Sequence, residues 1–128
     1  MFFDGLESKN PKIRLACVEH LGKFSDQSIV KRLASLFKTE TNTAARREIV
    51  SSIGRQRSKN NLDILIEFSD DNDPKVVMQT IRALLYFKDV PQVKKRLKKL
   101  QKHKNEVIQQ VLQSAFATKK ATKIIKIE

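Results

Sequence analysis

The sequence has no tryptophan, one cysteine, three glycines and three prolines in 128 residues. So little glycine and proline excludes collagen-like and low-complexity chains. Together with 40% hydrophobic residues, this composition favours an ordered helical chain. A single cysteine cannot form an internal disulfide, and we expect a reducing compartment.

Long apolar segments are scarce as well. The longest purely apolar run is Ala83–Phe87, which is too short to span a bilayer. Met1-Phe2-Phe3 is followed directly by Asp4, without the basic region and apolar stretch of a secretory signal. We therefore expect one small cytoplasmic domain that has no membrane partner, because 128 residues suffice for a single core.

A repeat of about 32 residues organises the chain. Residues of the type that caps helix N-termini stand 32, 31 and 32 positions apart, at Asn10, Asn42, Asp73 and Asn105. Proline follows the first and the third of them, in the first helical position, where its missing N–H costs nothing.

Apolar residues recur four and four positions apart after each cap, which indicates a helix and not a strand. This stripe consists of Ile13, Cys17 and Leu21; Ala45, Ile49 and Ile53; Val76, Thr80 and Leu84; and Ile108, Leu112 and Phe116. A shorter apolar helix follows in the first three units, so each is predicted to be an antiparallel helix pair that stacks on its neighbours. Gly22 and Gly54 follow the stripe and predict left-handed helix ends.

These patterns divide the chain into a repeat domain, residues 1–117, and a basic tail or linker, residues 118–128. The complete units are about 10–41, 42–72 and 73–104, and the half-units are 1–9 and 105–117. Because the ends are half-units, the chain looks like part of something longer. The β-branched segment Lys123–Glu128 would suit the opening strand of a following α/β domain.

The first unit resembles the HEAT-like repeat family almost position by position. The matching residues are Pro11, Ile13, Arg14, Ala16, Glu19, Leu21, Gly22, Asp26, Val30, Leu33 and Leu36. The second unit retains Arg46 and Gly54, whereas the third has Val77 in place of the arginine and Leu85 in place of the glycine. The resemblance implies an all-α, right-handed α-α superhelix with a curved binding surface lined by the second helices, and it implies no common chemistry.

Groups that could support catalysis or bind a metal do not converge in the sequence. His20 and His103 lie in different units, without a partner at metal-ligand spacing. Cys17 lies on the apolar stripe, where a buried thiol is expected. Asp70 and Asp71 resemble a calcium loop but lack its central glycine and terminal glutamate, so we expect solvated turn residues. We predict no catalytic residue, no metal and no cofactor.

Positive charge is concentrated in the last third of the chain. Residues 1–41 have net charge +2, residues 42–87 have +1, and residues 88–128 have +9, from 12 basic and 3 acidic side chains. The densest part is Val93–Lys104, in the predicted second helix of the third unit. Because its apolar residues would face the core, its basic residues should lie on exposed faces.

Two functions fit this charge. The first is a non-catalytic module that binds nucleic acid, above all DNA, through backbone phosphates. The absence of exposed aromatic residues predicts no base stacking. The second is a protein-interaction scaffold with an acidic partner, and a solvated lysine-rich helix is the alternative to both. The predicted nucleic-acid contacts are Lys94, Lys95, Arg96, Lys98, Lys99, Lys102, Lys104, Arg55, Arg57, Lys59, Lys31 and Arg32.

The predicted contacts would occupy two surfaces. Lys31 and Arg32 would share the trough of second helices with the basic segment, although Asp63 and Glu67 would interrupt it. The second unit's turn, residues 55–59, would form a ridge along one edge. With the α/β interpretation of the C-terminus, the sequence further suggests an N-terminal accessory domain of a DNA-acting enzyme such as a methyltransferase. The sequence predicts no oligomeric state.

Overall fold

The computed structural model describes the backbone of residues 4–127 and the side chains of residues 4–117. Within that range there are seven α-helices and no strand, so the predicted all-α class is confirmed. The helices are α1 Pro11–Leu21, α2 Gln27–Thr39, α3 Thr43–Arg55, α4 Leu62–Phe68, α5 Pro74–Leu85, α6 Pro91–Leu100 and α7 Glu106–Ile127. Two 3-10 helices cover Asp4–Glu7 and Lys59–Asn61. None of the described helices is both long and apolar enough to cross a membrane.

All four predicted helix starts are found. The side-chain oxygens of Asn10, Asn42, Asp73 and Asn105 accept backbone N–H groups of the following turns, at distances of 2.9 to 3.1 Å. Each cap satisfies a backbone donor that the first helical turn would otherwise leave unpaired. The 31- or 32-residue spacing of these caps therefore sets the length of the structural repeat.

The helices form a solenoid of two layers. The first helices of the units pack side by side in the order α1, α3, α5 and α7, and the second helices α2, α4 and α6 pack against them. The stripe is buried in α3 and α5, where first helices lie on both sides. In α1, by contrast, Ile13 is 46% exposed and Cys17 is partly buried against Gly5. The helix-pair prediction is confirmed, and burial depends on stacking between units.

The glycines Gly22 and Gly54 do not have the predicted conformation. No glycine in the described range has a positive φ, and Gly22 is right-handed with φ −64°. A Cβ at Gly22 would lie 2.2 Å from Ser52 Oγ, and one at Gly54 would lie 2.7 Å from Ala83 Cβ. Glycine is needed at these positions because it lets consecutive first helices approach closely. The prediction of left-handed helix ends was therefore wrong, since helix packing and not backbone conformation requires the glycines.

Arginines near the start of α1 and α3 connect each of these units to the turn that follows. The Arg14 guanidinium donates to both carboxylate oxygens of Glu40, at 2.7 and 2.9 Å, and to the Ser8 carbonyl at 2.8 Å. Arg46 pairs with Asp71, so Asp71 is not the solvated residue that its sequence context predicts. Arg46 also lies 4.0 Å from the ring centroid of Phe37.

Glu40 is the most enclosed carboxylate of these pairs, with a side chain 0% exposed. The hydrogen bond from Arg14 and those from the N–H groups of Asn42 and Thr41 hold its pKa below the ordinary value, although burial acts in the opposite direction. In the third unit Val77, fully buried, stands where Arg14 and Arg46 stand in the first two. The contact between a first-helix arginine and the carboxylate of the following turn, which we call the arginine bridge, is therefore present in the first two units and absent from the third.

A second contact recurs two residues before each cap. Ser8 Oγ, Glu40 Oε2, Asp71 Oδ2 and His103 Nδ1 accept the backbone N–H of the cap residue, at 3.1, 2.9, 3.0 and 3.0 Å. Four different side chains thus supply one acceptor at the same place. Unlike the arginine bridge, this contact is present in every unit.

The C-terminal segment is helical through Ile127, where the sequence suggested a strand for Lys123–Glu128. Glu128 lies outside the described residues. Local helix continuation from α7 outweighs the β preference of three isoleucines, since adding residues to an existing helix needs no new nucleus. The strand prediction was wrong for residues 123–127, and the division of the chain at residue 117 remains a prediction.

Candidate functional site

Helix α6 and the turn after it carry the densest positive charge. Val93, Leu97 and Leu100 are buried, and this places the basic residues between them on the other faces of the helix. Helix α6 contains no acidic residue. We define the α6 cluster as Lys94, Lys95, Arg96, Lys98, Lys99, Lys102 and Lys104. All six lysines are exposed, as predicted, and Arg96 is partly buried.

A groove of about 670 Å³ lies between α4 and α6. Its lining residues are Ile66, Gln92, Lys95, Arg96, Lys98, Lys99 and Lys102. Two polar contacts hold its walls together: Gln92 Nε2 donates to Asp63 Oδ1 at 2.7 Å, and Arg96 Nη1 lies 2.6 Å from Asp70 Oδ1. Five cluster residues line this groove, and the partly buried Ile66 lines it from α4.

Lys31 and Arg32 lie apart from this groove. Lys31 lines a second groove, between α2 and α4, together with the acidic Glu67. Arg32 is paired with Glu7 at 2.8 Å. The two grooves thus lie on different sides of α4, and the α4 acid Glu67 lines the second of them.

Arg55, Arg57 and Lys59 lie at the end of α3 and in the turn before α4. Arg55 donates to Glu48 Oε1 at 2.9 Å and to Ser51 Oγ at 2.8 Å. The Arg57 guanidinium lies 4.6 Å from the ring centroid of Tyr86. In a solenoid of antiparallel helix pairs, turns within units lie at one edge and turns between units at the other. Arg55, Arg57 and Lys59 are at the first edge, so they do not join Lys102 and Lys104, which follow α6 at the second edge.

Comparison with known proteins identifies the architecture. The sequence profile of HEAT repeats matches residues 1–84 and residues 37–117. The chain belongs to the HEAT repeats family. No curated protein matches its sequence. The crystal structure of an engineered protein has a similar fold, with 17% sequence identity and a TM-score of 0.56. That match covers 91% of this chain and 60% of the engineered one, and at this identity it shows the fold alone.

The HEAT solenoid also exposes two aromatic residues, contrary to expectation. Tyr86 is 63% exposed and Phe24 is 45% exposed. Both follow a stripe residue closely, Phe24 after Leu21 and Tyr86 after Leu84, but they stand in turns within units where no neighbouring helix covers them. Their position just beyond the stripe was the signal available in the sequence.

The residues considered for catalysis or metal binding serve the fold. Asp70 and Asp71 pair with arginines, and His103 Nδ1 accepts the backbone N–H of Asn105. Cys17 packs against the core. Among the side chains of residues 4–117, no group of three His, Cys, Asp or Glu residues is placed to hold a metal ion. The binding surfaces of this HEAT module are therefore the features from which a function can be argued.

Proposed function

We propose that the chain is a HEAT repeat module that binds nucleic acid, DNA in the first instance, through backbone phosphates at the α6 cluster. The observation that carries this proposal is the convergence of Lys95, Arg96, Lys98, Lys99 and Lys102 on one groove. Helix α6 holds lysines at i and i+4 and contains no acidic residue of its own, so these lysines repel one another. A polyanion in the groove offsets that repulsion.

The residue types favour phosphate contact over base recognition. Lysine ammonium groups are mobile point charges that suit phosphates, and Arg96 is already engaged with Asp70. Phosphate contacts by the four groove lysines, Lys95, Lys98, Lys99 and Lys102, correspond to a slope of about −3.6 for log affinity against log salt concentration. Affinity for duplex DNA should then fall roughly 150-fold between about 50 and 200 mM salt.

The test compares two triple variants of equal charge. Lys95→Gln, Lys99→Gln and Lys102→Gln together remove three groove lysines. Lys9→Gln, Lys12→Gln and Lys75→Gln together remove three exposed lysines at the N-terminal ends of α1 and α5. By fluorescence anisotropy with duplex DNA, the groove variant should bind more weakly and lose roughly three units of salt slope, whereas the control should resemble the wild type. Equal losses in both variants would show that only net charge matters.

A second candidate function is the capture of an acidic protein segment. Ile66 in the α4–α6 groove favours it, because an apolar contact suits an amphipathic helix with acidic flanks. An acidic helical peptide with a leucine face should then bind with a weaker salt dependence than DNA and displace it. If only DNA binds, this candidate is excluded.

The structure does not provide the strand used to argue that the chain is an accessory domain of a DNA-acting enzyme. A strand at Lys123–Glu128 was one of the supports of that interpretation, and α7 is helical through Ile127. The proposal therefore concerns this module alone and assigns it no catalytic residue or cofactor.

A further inference from the structure

The edge of the solenoid formed by the turns within units combines aromatic and basic side chains. Phe24 lies in the first turn, Arg57 in the second, and Tyr86 at the start of the third. We call these three residues the turn edge. Tyr86 and Phe24 are the exposed aromatic residues of residues 4–117. None of the three belongs to the α6 cluster.

Neighbouring side chains hold these residues in place. Gln56 Nε2 donates to the Phe24 carbonyl at 3.1 Å, linking the first turn to the second. The Arg57 guanidinium lies over the Tyr86 ring, 4.6 Å from its centroid, linking the second turn to the third. Phe87 packs edge-on against Tyr86, with ring centroids 5.0 Å apart. The turn edge is thus a connected surface and not a set of isolated side chains.

Arg57 has a backbone conformation that arginine does not favour. Its φ is +51°, the one positive φ of a non-glycine residue in the described range. It stands two residues after the end of α3, where glycine or asparagine is the usual residue. Arg57 is exposed, so the fold gains little from its side chain. A strained, exposed arginine stacked on an exposed tyrosine is better explained by binding than by stability.

The surrounding charge is basic. Lys23, Lys59 and Lys88 lie in the same three turns. Of the nearby acids, Asp26 accepts hydrogen bonds from Ser28 as the cap of α2, and Asp89 also has a partner within the protein. These two carboxylates keep their charge, but Lys23, Arg57, Lys59 and Lys88 outnumber them, so the turn edge presents stacking surfaces in net basic surroundings.

We propose that the turn edge binds single-stranded nucleic acid, with an unpaired base stacked on the Tyr86–Arg57 pair and phosphates near Lys59 and Lys88. Bases stack on aromatic rings and guanidinium planes when they are released from a duplex. Phe24 lies two units from Tyr86, at a distance of roughly 20 Å. It would provide a second stacking surface for a base about six nucleotides further along the strand. This second surface goes beyond phosphate binding at the α6 cluster, because it selects for unpaired bases.

The chain provides its own reporter for this proposal. Tyr86 is the only tyrosine, and there is no tryptophan, so intrinsic fluorescence comes from Tyr86. Titration with oligothymidylate of about ten nucleotides should quench this emission by stacking. A parallel titration of free tyrosine amide corrects for the light that the nucleotide itself absorbs. Duplex DNA of equal charge should bind with little quenching. Equal quenching by duplex, or no quenching by the single strand, would overturn the proposal.

Variants test the individual residues by anisotropy with a labelled single strand. Tyr86→Ala and Arg57→Gly should each weaken binding roughly tenfold. Val107→Ala is a matched control, because Val107 is an exposed apolar residue at the start of α7, on the other edge. Arg57→Gly should keep the melting temperature of the wild type or raise it, which separates lost binding from lost folding. Unchanged affinity in both variants would exclude the turn edge.

The groove variant distinguishes this proposal from the proposed function. If the two surfaces are separate, Lys95→Gln, Lys99→Gln and Lys102→Gln together should weaken duplex binding and preserve Tyr86 quenching by oligothymidylate. Loss of both signals would place all binding at the α6 cluster and overturn the inference. If oligothymidylate quenches Tyr86 in the wild type but the wild type does not bind duplex DNA, only the proposed function is contradicted. Equal quenching by polyglutamate, which has no base to stack, would also overturn the inference.

Discussion

The first two units and the third use positive charge in opposite ways. Arg14 and Arg46 turn inward, and their guanidinium groups are neutralised by Glu40 and Asp71 at the boundaries between units. In the third unit Val77 replaces the arginine, and the basic side chains of α6 lie on the surface. Both regions also carry exposed lysines, but only the first two units use an arginine to bridge one unit to the next.

This difference shows why net charge alone does not locate a binding surface. A guanidinium that is hydrogen-bonded to an enclosed carboxylate stabilises the fold, and its charge is unavailable to a partner. Exposed lysines on a helix without acids add little to stability and are available to anions. The comparison predicts that substitutions at unit boundaries change stability, whereas substitutions on α6 change binding.

The largest expected effect is on Glu40. Glu40→Gln should lower the free energy of unfolding by about 2 to 3 kcal/mol at neutral pH, because Arg14 loses its carboxylate partner in an enclosed place. Urea unfolding followed by circular dichroism measures this change.

The control for Glu40 is Asp70→Asn, which breaks the exposed pair with Arg96. It should cost less than about 1 kcal/mol, because the Asp70 side chain is 65% exposed and solvent screens the pair. Similar losses in the two variants would contradict the distinction between boundary and surface charges.

A smaller effect should appear in the pH dependence of stability. Since the pKa of Glu40 is lower in the folded protein than in the unfolded chain, its ionisation stabilises the fold above about pH 4.3. That contribution is lost as pH falls through the folded-state pKa. The stability difference between wild type and Glu40→Gln should therefore narrow from pH 6 to pH 3. A constant difference would show that the carboxylate charge is not the cause.

The smallest expected effect is on the stability of α6. Lys94→Gln removes repulsion with Lys98 at i+4 and should raise the free energy of unfolding by a few tenths of a kcal/mol. Lys12→Gln, at the start of α1, is the comparison for a lysine without this neighbour. A clear loss of stability in Lys94→Gln would mean that α6 lysines have a structural role that their exposure does not indicate.

Features that depend on local spacing were predictable from the sequence. The caps and the spacing of the apolar stripe follow from side chains within a few residues of one another; all four caps are found, and the stripe is buried in α3 and α5. Features that join one unit to the next were missed. The contact of Arg14 with Glu40 spans 26 residues, and the closeness of Gly54 to Ala83 is set by the distance between two helices.

The candidate site was predictable in part for the same reason. Exposure of the α6 lysines follows from helical periodicity, so it was predicted correctly. The stacking of Arg57 on Tyr86 joins two turns that are 29 residues apart, and it depends on an unusual φ that no pattern of residue types indicates. The exposed aromatic residues Phe24 and Tyr86 were missed, and both stand in turns, where helical register no longer indicates burial.

The acceptor two residues before each cap changes where one repeat should be cut from the next. Ser8, Glu40, Asp71 and His103 each fix the start of the first helix that follows, so they belong with that helix and not with the preceding unit. Modules that begin at these residues would keep the hydrogen bond from the cap N–H to its acceptor when they are duplicated, deleted or transplanted. Modules that begin at the cap would leave it behind.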